Sequence, residues 1–153
     1  MTPRLIHDQL VSTYADVVPK MSWGETAFFV NPGGKLPSGS YFVTIKEKDG
    51  DNDKASNLDR DGVFRLNFGP GRKAFEKHFG TPPVRPAKGG VIEGPWDFTK
   101  LNRLMPHPVY GWMSWMCILN PEKSSFEALT ELLDSAHQKS SKSAAHKLRK
   151  FRA

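Results

Sequence analysis

The residues best suited to chemistry in this chain are polar and aromatic side chains beside the predicted strands. A carboxylate, a guanidinium and an imidazole held together can bind a small polar ligand, and flanking aromatic rings can hold its flat faces. The members of this candidate ligand pocket are Glu25, Asn57, Asp59, Arg60, Arg65, His107, Tyr110 and Trp112.

His107 is the most distinctive member of this set, because it lies between Pro106 and Pro108. Each proline fixes its own backbone φ angle and restricts the residue before it, so the histidine is held by a rigid stretch of chain. An aromatic segment that ends at Trp115 and the apolar run 116–119 follow directly. The spacing predicts a short edge strand at 102–107 and a strand covered on both faces at 115–120.

Arg65 falls in the middle of a predicted strand, where an arginine must face water or pair with a carboxylate. We expect Glu25 or Asp59 to be its partner. One interpretation is a structural ion-pair network that fastens loop 49–61 to the sheet, with His107 hydrogen-bonded to it. The other is a pocket for a small anionic or nucleobase-like ligand, with Arg65 as its floor and Tyr110 and Trp112 as its walls. We favour the network and keep the pocket as the alternative.

Other motifs in the sequence fit specific chemistry poorly. Asp49, Asp51 and Asp53 have the first spacings of a calcium-binding EF-hand loop, but Lys54 and Arg60 replace its glycine and glutamate. The segment 69–73 (GPGRK) could hold an anion at a helix start, although a strand-to-helix turn explains it equally well.

Cys117 and His107 could form a nucleophile and base, yet the apolar neighbours of Cys117 predict a buried, inert thiol. The five histidines are scattered, so we predict no metal centre and no cofactor.

Length and composition predict a globular protein with one folded domain. With 153 residues and 38% hydrophobic content the chain can bury a sizeable core. It has no apolar run of roughly 20 residues and no signal-like start, so we expect no membrane association and a cytoplasmic location. The single cysteine agrees with a reducing compartment.

The positive charge is concentrated at the end of the chain. The formal net charge is +6, and no acidic residue follows Asp134. We therefore divide the chain into a domain at 1–138 and a basic, flexible tail at 139–153. The tail is either an arm for nucleic acid or another anionic surface, or a solvated, frayed helix end, which we favour. Its basic residues are Lys139, Lys142, Lys147, Arg149, Lys150 and Arg152.

The elements that must position these side chains follow in the order helix, three strands, helix, two strands, helix. Thr2 and Pro3 start an amphipathic helix that runs to Val18 and stops at Pro19. Ser124 starts the last helix, with Glu127 at capping-box spacing. The strands are predicted at 26–31, 41–48, 62–68, 102–107 and 115–120, and the middle helix at 72–79. The strand at 62–68 is predicted to expose Val63, Arg65 and Asn67 to water. The order predicts an α+β fold with a curved, mostly antiparallel five-stranded sheet and helices on one face.

Four segments of the chain carry a family resemblance: 23–29 (WGETAFF), 56–60 (SNLDR), 62–67 (GVFRLN) and 104–110 (LMPHPVY). They resemble the signature segments of a bacterial family of single-domain proteins known only as a domain of unknown function, over most of residues 5–138. The resemblance implies a shared fold and no established activity. The element order is also distantly similar to that of the MmcQ/YjbR-like family, which is sometimes described as having a DNA-binding topology.

These observations predict a binding or interaction module rather than an enzyme. Helices on one face would leave the other face free for a homodimer, with an apolar core from Trp112, Met113, Trp115 and Met116. Nucleic-acid binding through the basic arm is one alternative. A small-molecule enzyme or ligand binder is the other, with Glu25, Asp59 and His107 as acid-base groups and an unidentified ligand.

Overall fold

The computed structural model describes residues 1–152, apart from the side chain of Arg152, and within them the chain forms four α-helices and one six-stranded sheet. Ala153, the end of the predicted tail, lies outside the described residues. The elements are α1 (Pro3–Thr13), β1 (Val17–Ser22), β2 (Glu25–Val30), β3 (Ser40–Lys46), β4 (Arg65–Phe68), α2 (Arg72–Phe79), β5 (Met105–Pro106), β6 (Met116–Leu119), α3 (Lys123–Glu127) and α4 (Thr130–Arg152). The α+β class is confirmed.

All strand pairs in the sheet are antiparallel, and the strand order is β1-β2-β3-β4-β6-β5. Strand β5 is an edge strand, as its prolines predict, and β6 is buried along its whole length. Strand β4 lies between β3 and β6, so it is covered by neighbours on both sides.

The prediction of five strands is wrong, because the chain makes a strand where the sequence suggested the end of a helix. Thr2 caps α1 by accepting from Leu5 N, as predicted, but α1 ends at Thr13 instead of reaching Val18. Residues 17–22 form β1, which pairs with β2 through a tight turn at Trp23 and Gly24, both with positive φ. The β-branched valines favour this strand, and an edge position tolerates Pro19.

Two further predictions about the elements need correction. Strand β4 starts at Arg65, and its supposedly wet side is dry: Arg65 and Asn67 are 0% and 1% exposed. The last helix is interrupted at residues 128–129, so α3 and α4 replace one long helix, and Glu122 stands at the N-cap position instead of Ser124.

The sheet carries a separate layer on each face. All four helices contribute to the larger apolar core on one face, which confirms the prediction that the helices share a face. The other face is covered in part by loops, whose residues Leu58, Ile92 and Phe98 form a second cluster with Met105, Cys117 and Leu119. This loop layer, built from residues 49–61 and 81–104, explains why polar strand residues are buried.

The segment predicted as a basic tail lies in α4. Ala144 is fully buried against the helix-side core, and the Ser140 hydroxyl donates to the carbonyl of Tyr41 at 3.1 Å. Ser40 donates to the Ser143 hydroxyl at 2.9 Å. These contacts attach the second half of α4 to β3. None of the helices in residues 1–152 is both long and apolar enough to cross a bilayer.

Candidate functional site

A row of polar side chains crosses the loop-covered face of the sheet. The strand register aligns Glu25 with Lys46 and Lys46 with Arg65 on successive strands. The next row on this face aligns Thr44 with Asn67. Residues two apart on a strand share a face, so the register brings both rows together beneath the loops.

Arg65 is the centre of a buried hydrogen-bonding network. Its guanidinium makes a two-pronged ion pair with Asp53, with Nη1 to Oδ1 at 3.0 Å and Nη2 to Oδ2 at 2.5 Å. Nε donates to Asn67 at 2.7 Å, and Nη1 also donates to Ser56 at 3.0 Å. Burial is the largest single influence on the pKa of Arg65 and lowers it, but the hydrogen bond to Asp53 and the nearby negative charges, that of Asp53 first, together raise the pKa above its ordinary value.

The prediction that Glu25 or Asp59 pairs with Arg65 is therefore wrong, although Arg65 does lie in a hydrogen-bonded ion-pair network. Asp53 takes the place predicted for Glu25 or Asp59, and it comes from loop 49–61, as the structural interpretation requires. Glu25 instead lies 3.6 Å from Lys46, and the Asp59 carboxylate accepts from the backbone N–H of Asp49 at 3.0 Å.

His107 caps a helical turn, which gives a physical reason for the two prolines around it. Its Nδ1 accepts from the backbone N–H groups of Val109 at 3.1 Å and Tyr110 at 3.0 Å, and its carbonyl accepts from Gly111 N at 2.8 Å. Pro108 occupies the first position of the turn, where a missing N–H costs nothing. Pro106 lies on the edge strand β5.

His107 is only 3% exposed, and the surroundings of its ring oppose protonation. Burial lowers the pKa of His107 well below its ordinary value, and the positive charges of Arg65 and Lys46 lower it further. Nε2 of the ring lies 3.2 Å from Nη2 of Arg65. His107 is therefore neutral at pH 7.

A cavity of about 330 Å³ opens beside this network. Aromatic rings form much of its wall, with the Tyr41 ring 5.5 Å from Trp115 and 5.7 Å from Phe29 between centroids. Gly69 makes room for Trp115, since a Cβ there would lie 2.6 Å from the indole. The lining residues are Glu25, Ala27, Phe29, Tyr41, Thr44, Asp53, His107, Tyr110, Met113 and Trp115.

The structure brings together some of the candidate pocket residues and leaves others apart. Glu25, His107 and Tyr110 line the cavity, and Arg65 lies buried behind His107. Arg60 fastens two loops, donating to the carbonyls of Ser56, Asn57 and Thr99. Asn57 and Asp59 are exposed in that loop. Trp112 does not line the cavity; its ring lies under Arg85, with 4.7 Å between the ring centroid and Cζ. Trp115 lines the cavity instead.

Several lining residues were missed by the sequence reasoning, chiefly Asp53, Thr44, Tyr41 and Trp115. The alternation along β3 places Thr44 opposite Val43 and Ile45, which is a signal that could have found Thr44. Asp53 has no such signal, because its position depends on how loop 49–61 folds over the sheet.

The remaining motifs are used structurally. Asp49 accepts from Leu58 N at 2.8 Å, and Asp53 pairs with Arg65. Cys117 is buried as predicted, and burial raises the pKa of its thiol to about 12. Across residues 1–152, His, Cys, Asp and Glu side chains do not gather in threes that could hold a metal ion.

Two surface predictions can be placed on the fold. Met116, expected in a homodimer core, is fully buried in the helix-side core, so the four apolar residues do not share one surface. The homodimer stays a prediction. Two basic residues of the predicted arm, Lys139 and Lys142, lie on α4 and border a cleft with Arg72, Lys73 and Lys77.

The fold and the site define an α+β protein with a small cavity on the loop-covered face of its sheet. The chain belongs to the family described as a family of unknown function (DUF6194), whose sequence profile matches residues 1–149. This confirms the resemblance to a domain of unknown function. No curated protein and no solved structure matches the chain. The distant similarity to the MmcQ/YjbR-like family stays a prediction.

Proposed function

We propose that this protein is a non-enzymatic binding module that takes a small, uncharged, planar heterocycle into the cavity beside Arg65 and His107. One observation carries the proposal: aromatic walls surround a floor of buried, hydrogen-bonded polar groups. Concave sites that combine apolar walls with a few fixed polar groups are typical of small-molecule binding. A volume of about 330 Å³ suits a ligand of one or two rings.

The charges around the cavity argue against an anionic ligand. Glu25 and Asp53 both line the cavity and are acidic. The positive charge of Arg65 is balanced by Asp53, and four of its five N–H groups go to Asp53, Ser56 and Asn67. Of the two ligand classes predicted from the sequence, the nucleobase-like class therefore fits better than the anion.

The same geometry favours binding over acid-base catalysis. The three groups expected to act together do not meet, because Asp59 lies outside the cavity. His107 is held neutral, and its Nδ1 is occupied by two backbone N–H groups. A general base needs a free lone pair and a pKa near the working pH.

A binding assay with two sets of probes tests this proposal. We expect adenine, uracil and nicotinamide to raise the melting temperature and quench the fluorescence of Trp115, and phosphate and citrate to do neither. Ala27→Leu should abolish binding by filling the cavity, whereas Ala145→Leu on α4 should leave it unchanged. A response to the anions alone, or binding that survives Ala27→Leu, contradicts the proposal.

A cleft between α2 and α4 supports a second function, the binding of nucleic acid. Five basic residues border it: Arg72, Lys73, Lys77, Lys139 and Lys142. Lys139 and Lys142 belong to the predicted arm, and the other three residues lie on or beside α2. Lysine and arginine clusters on a folded surface attract phosphate backbones by releasing counterions, which supports this second function.

A salt series on a labelled single-stranded oligonucleotide tests this second function. We expect binding at low salt that weakens as salt rises, and a smaller salt slope for the Lys139→Gln/Lys142→Gln pair. The matched pair Lys147→Gln/Lys150→Gln, on α4 outside this cleft, should change the salt slope less. The absence of binding at low salt contradicts the proposal that the protein binds nucleic acid.

We also propose that the protein acts in the cytoplasm. The support is its single, buried cysteine, which suits a reducing compartment. Fractionation of the producing cells checks this location, and recovery from an oxidising compartment contradicts it.

A further inference from the structure

Two ion pairs lie beside the cavity, and each turns its acidic member toward it. In the pair of Glu25 with Lys46, Glu25 lines the cavity and Lys46 does not, and their side chains are 34% and 13% exposed. In the pair of Asp53 with Arg65, Asp53 lines the cavity, whereas Arg65 is fully buried. The ionic groups among the lining residues are therefore carboxylates, which accept hydrogen bonds and cannot donate them.

Glu25 is the carboxylate with lone pairs left for a ligand. Both oxygens of Asp53 already accept from Arg65. In contrast, Oε2 of Glu25 lies 3.6 Å from Nζ of Lys46, which is longer than a hydrogen bond. A ligand that covers the Glu25 carboxylate removes it from water, and only hydrogen-bond donors on the ligand compensate for that loss.

The strand register places this carboxylate at one end of the cavity and aromatic rings at the other. Glu25, Ala27 and Phe29 follow one another along one face of β2, and all three line the cavity. On β3, Thr44 lies opposite Ala27, and Tyr41 lies opposite Phe29. The small side chains of Ala27 and Thr44 thus leave space between the acidic end and the aromatic end. A flat ring over them can contact the aromatic side chains while its edge faces Glu25.

We infer that Glu25 selects the ligand, and that the ligand is an uncharged heterocycle with two adjacent donors, a ring N–H beside an exocyclic amino group. This inference rests on the proposed function and names the ligand edge that the cavity recognises. The two oxygens of a carboxylate accept two parallel N–H groups, as they do from arginine. A ring edge with an acceptor atom beside the amino group would set a lone pair against one of these oxygens.

The two ion pairs favour an uncharged donor over a cation. Lys46 balances the charge of Glu25, and Arg65 balances that of Asp53. A cationic ligand would lose its hydration at a site where the charges already cancel. The N–H groups of a neutral ring supply the same donors at a smaller desolvation cost.

Two isomeric probes, isocytosine and cytosine, test this inference without a change in size or composition. Isocytosine carries a ring N–H beside its amino group, whereas the amino group of cytosine lies beside a ring nitrogen that accepts. Both are uncharged at pH 7. We expect wild-type protein to bind isocytosine at least about tenfold more tightly, the worth of one hydrogen bond to a charged group. Isothermal titration calorimetry measures both dissociation constants.

The variant Glu25→Gln tests the residue that makes the selection. Glutamine has nearly the size of glutamate, but an amide NH₂ replaces one of the two oxygens. The variant should lose the preference for isocytosine, because its amide matches the edge of cytosine that carries one donor and one acceptor. The matched control is Glu47→Gln, which should keep the preference, since Glu47 borders a separate cavity with Phe28 and Ile45 of the helix-side core.

The outcomes separate the inference from the proposed function. Equal binding of the two isomers, tighter binding of cytosine, or an unchanged preference in Glu25→Gln overturns the inference alone. The inference alone also fails if neither isomer binds while adenine, uracil or nicotinamide does. If no heterocycle in either assay binds, the proposed function is wrong and the inference with it. Urea denaturation shows whether Glu25→Gln is folded, and the comparison of the isomers in wild-type protein needs no variant.

Discussion

At the scale of single residues, local demands of the backbone and of buried charge explain the unusual side chains. His107 caps a turn, and its flanking prolines suit that turn and the edge strand before it. Arg65 is buried because Asp53, Ser56 and Asn67 take most of its donors. Both are structural residues; His107 also lines the cavity, and Arg65 lies buried behind it.

The first prediction concerns His107 and pH. Its folded pKa lies well below the unfolded value of about 6.5, so between these values the unfolded chain binds the extra proton. Above pH 6.5, His107 should therefore leave the free energy of unfolding unchanged as the pH varies. Below pH 6.5, His107 should lower the free energy of unfolding by up to about 1.4 kcal/mol for each pH unit. Urea denaturation between pH 5 and 7.5 measures the slope.

The control for this prediction is His107→Asn, which has no titratable group at this position. Its stability curve should lack the part of the slope that His107 contributes. The same slope in both proteins would show that other groups cause it.

The second prediction concerns the buried ion pair. Asp53→Asn leaves the charge of Arg65 in a dry site without its partner, so we expect a loss of about 3–5 kcal/mol in the free energy of unfolding. Glu76→Gln breaks the exposed pair with Arg72 and should cost less than about 1 kcal/mol. Chemical denaturation compares them, and similar losses would contradict the account of Arg65.

At the scale of elements, tertiary contacts set where helices and strands begin and end. Residues 17–18 were compatible with a helix stripe, but they form β1 because β2 offers a strand edge to pair with. Likewise, the Ser/Lys/Ala-rich segment after residue 138 continues α4 where β3 offers contacts to Ser140 and Ala144. Weak local propensities yield to such contacts.

The third prediction tests the packing of the second half of α4. Ala144→Asp puts a charge into a fully buried position and should cost at least about 2 kcal/mol. The matched change His146→Asp, at an exposed position two residues later, should cost less than about 1 kcal/mol. Thermal denaturation of both variants distinguishes a packed helix from a loose tail, in which neither change would matter.

At the scale of the whole molecule, the sheet separates a helical core from a loop layer. Strand β4 is buried on both faces and paired on both sides, whereas β1 is an edge strand with exposed residues at 20–22. The cavity lies where the loop layer stops short of β2 and β3, so the site is made by incomplete coverage of the sheet.

The fourth prediction follows from this layering. Hydrogen-bonded amides of β4 should exchange with solvent at least about a hundredfold more slowly than those of β1, because edge strands open in local events and central strands only with the global fold. Hydrogen exchange followed by NMR provides the rates. Equal protection of the two strands would show that the molecule opens as one unit.

Local patterns in the sequence determined the α+β class, the cap of α1, the edge position of β5 and the burial of β6 and Cys117. Each depends on the backbone chemistry of a few residues or on a run of apolar side chains, so it is visible without the fold. Of the eight residues of the candidate pocket, three line the cavity: Glu25, His107 and Tyr110.

Only the tertiary structure decided which of those residues meet. Strand register and the loops that cross the sheet pair Arg65 with Asp53. They also leave Asp59 and Trp112 outside the cavity and place Thr44, Tyr41 and Trp115 in its lining. A loop of several residues can place its side chains in many ways, and the packing of the whole molecule selects one. The sequence thus supplied the chemical groups, and long-range contacts determined the site that they form.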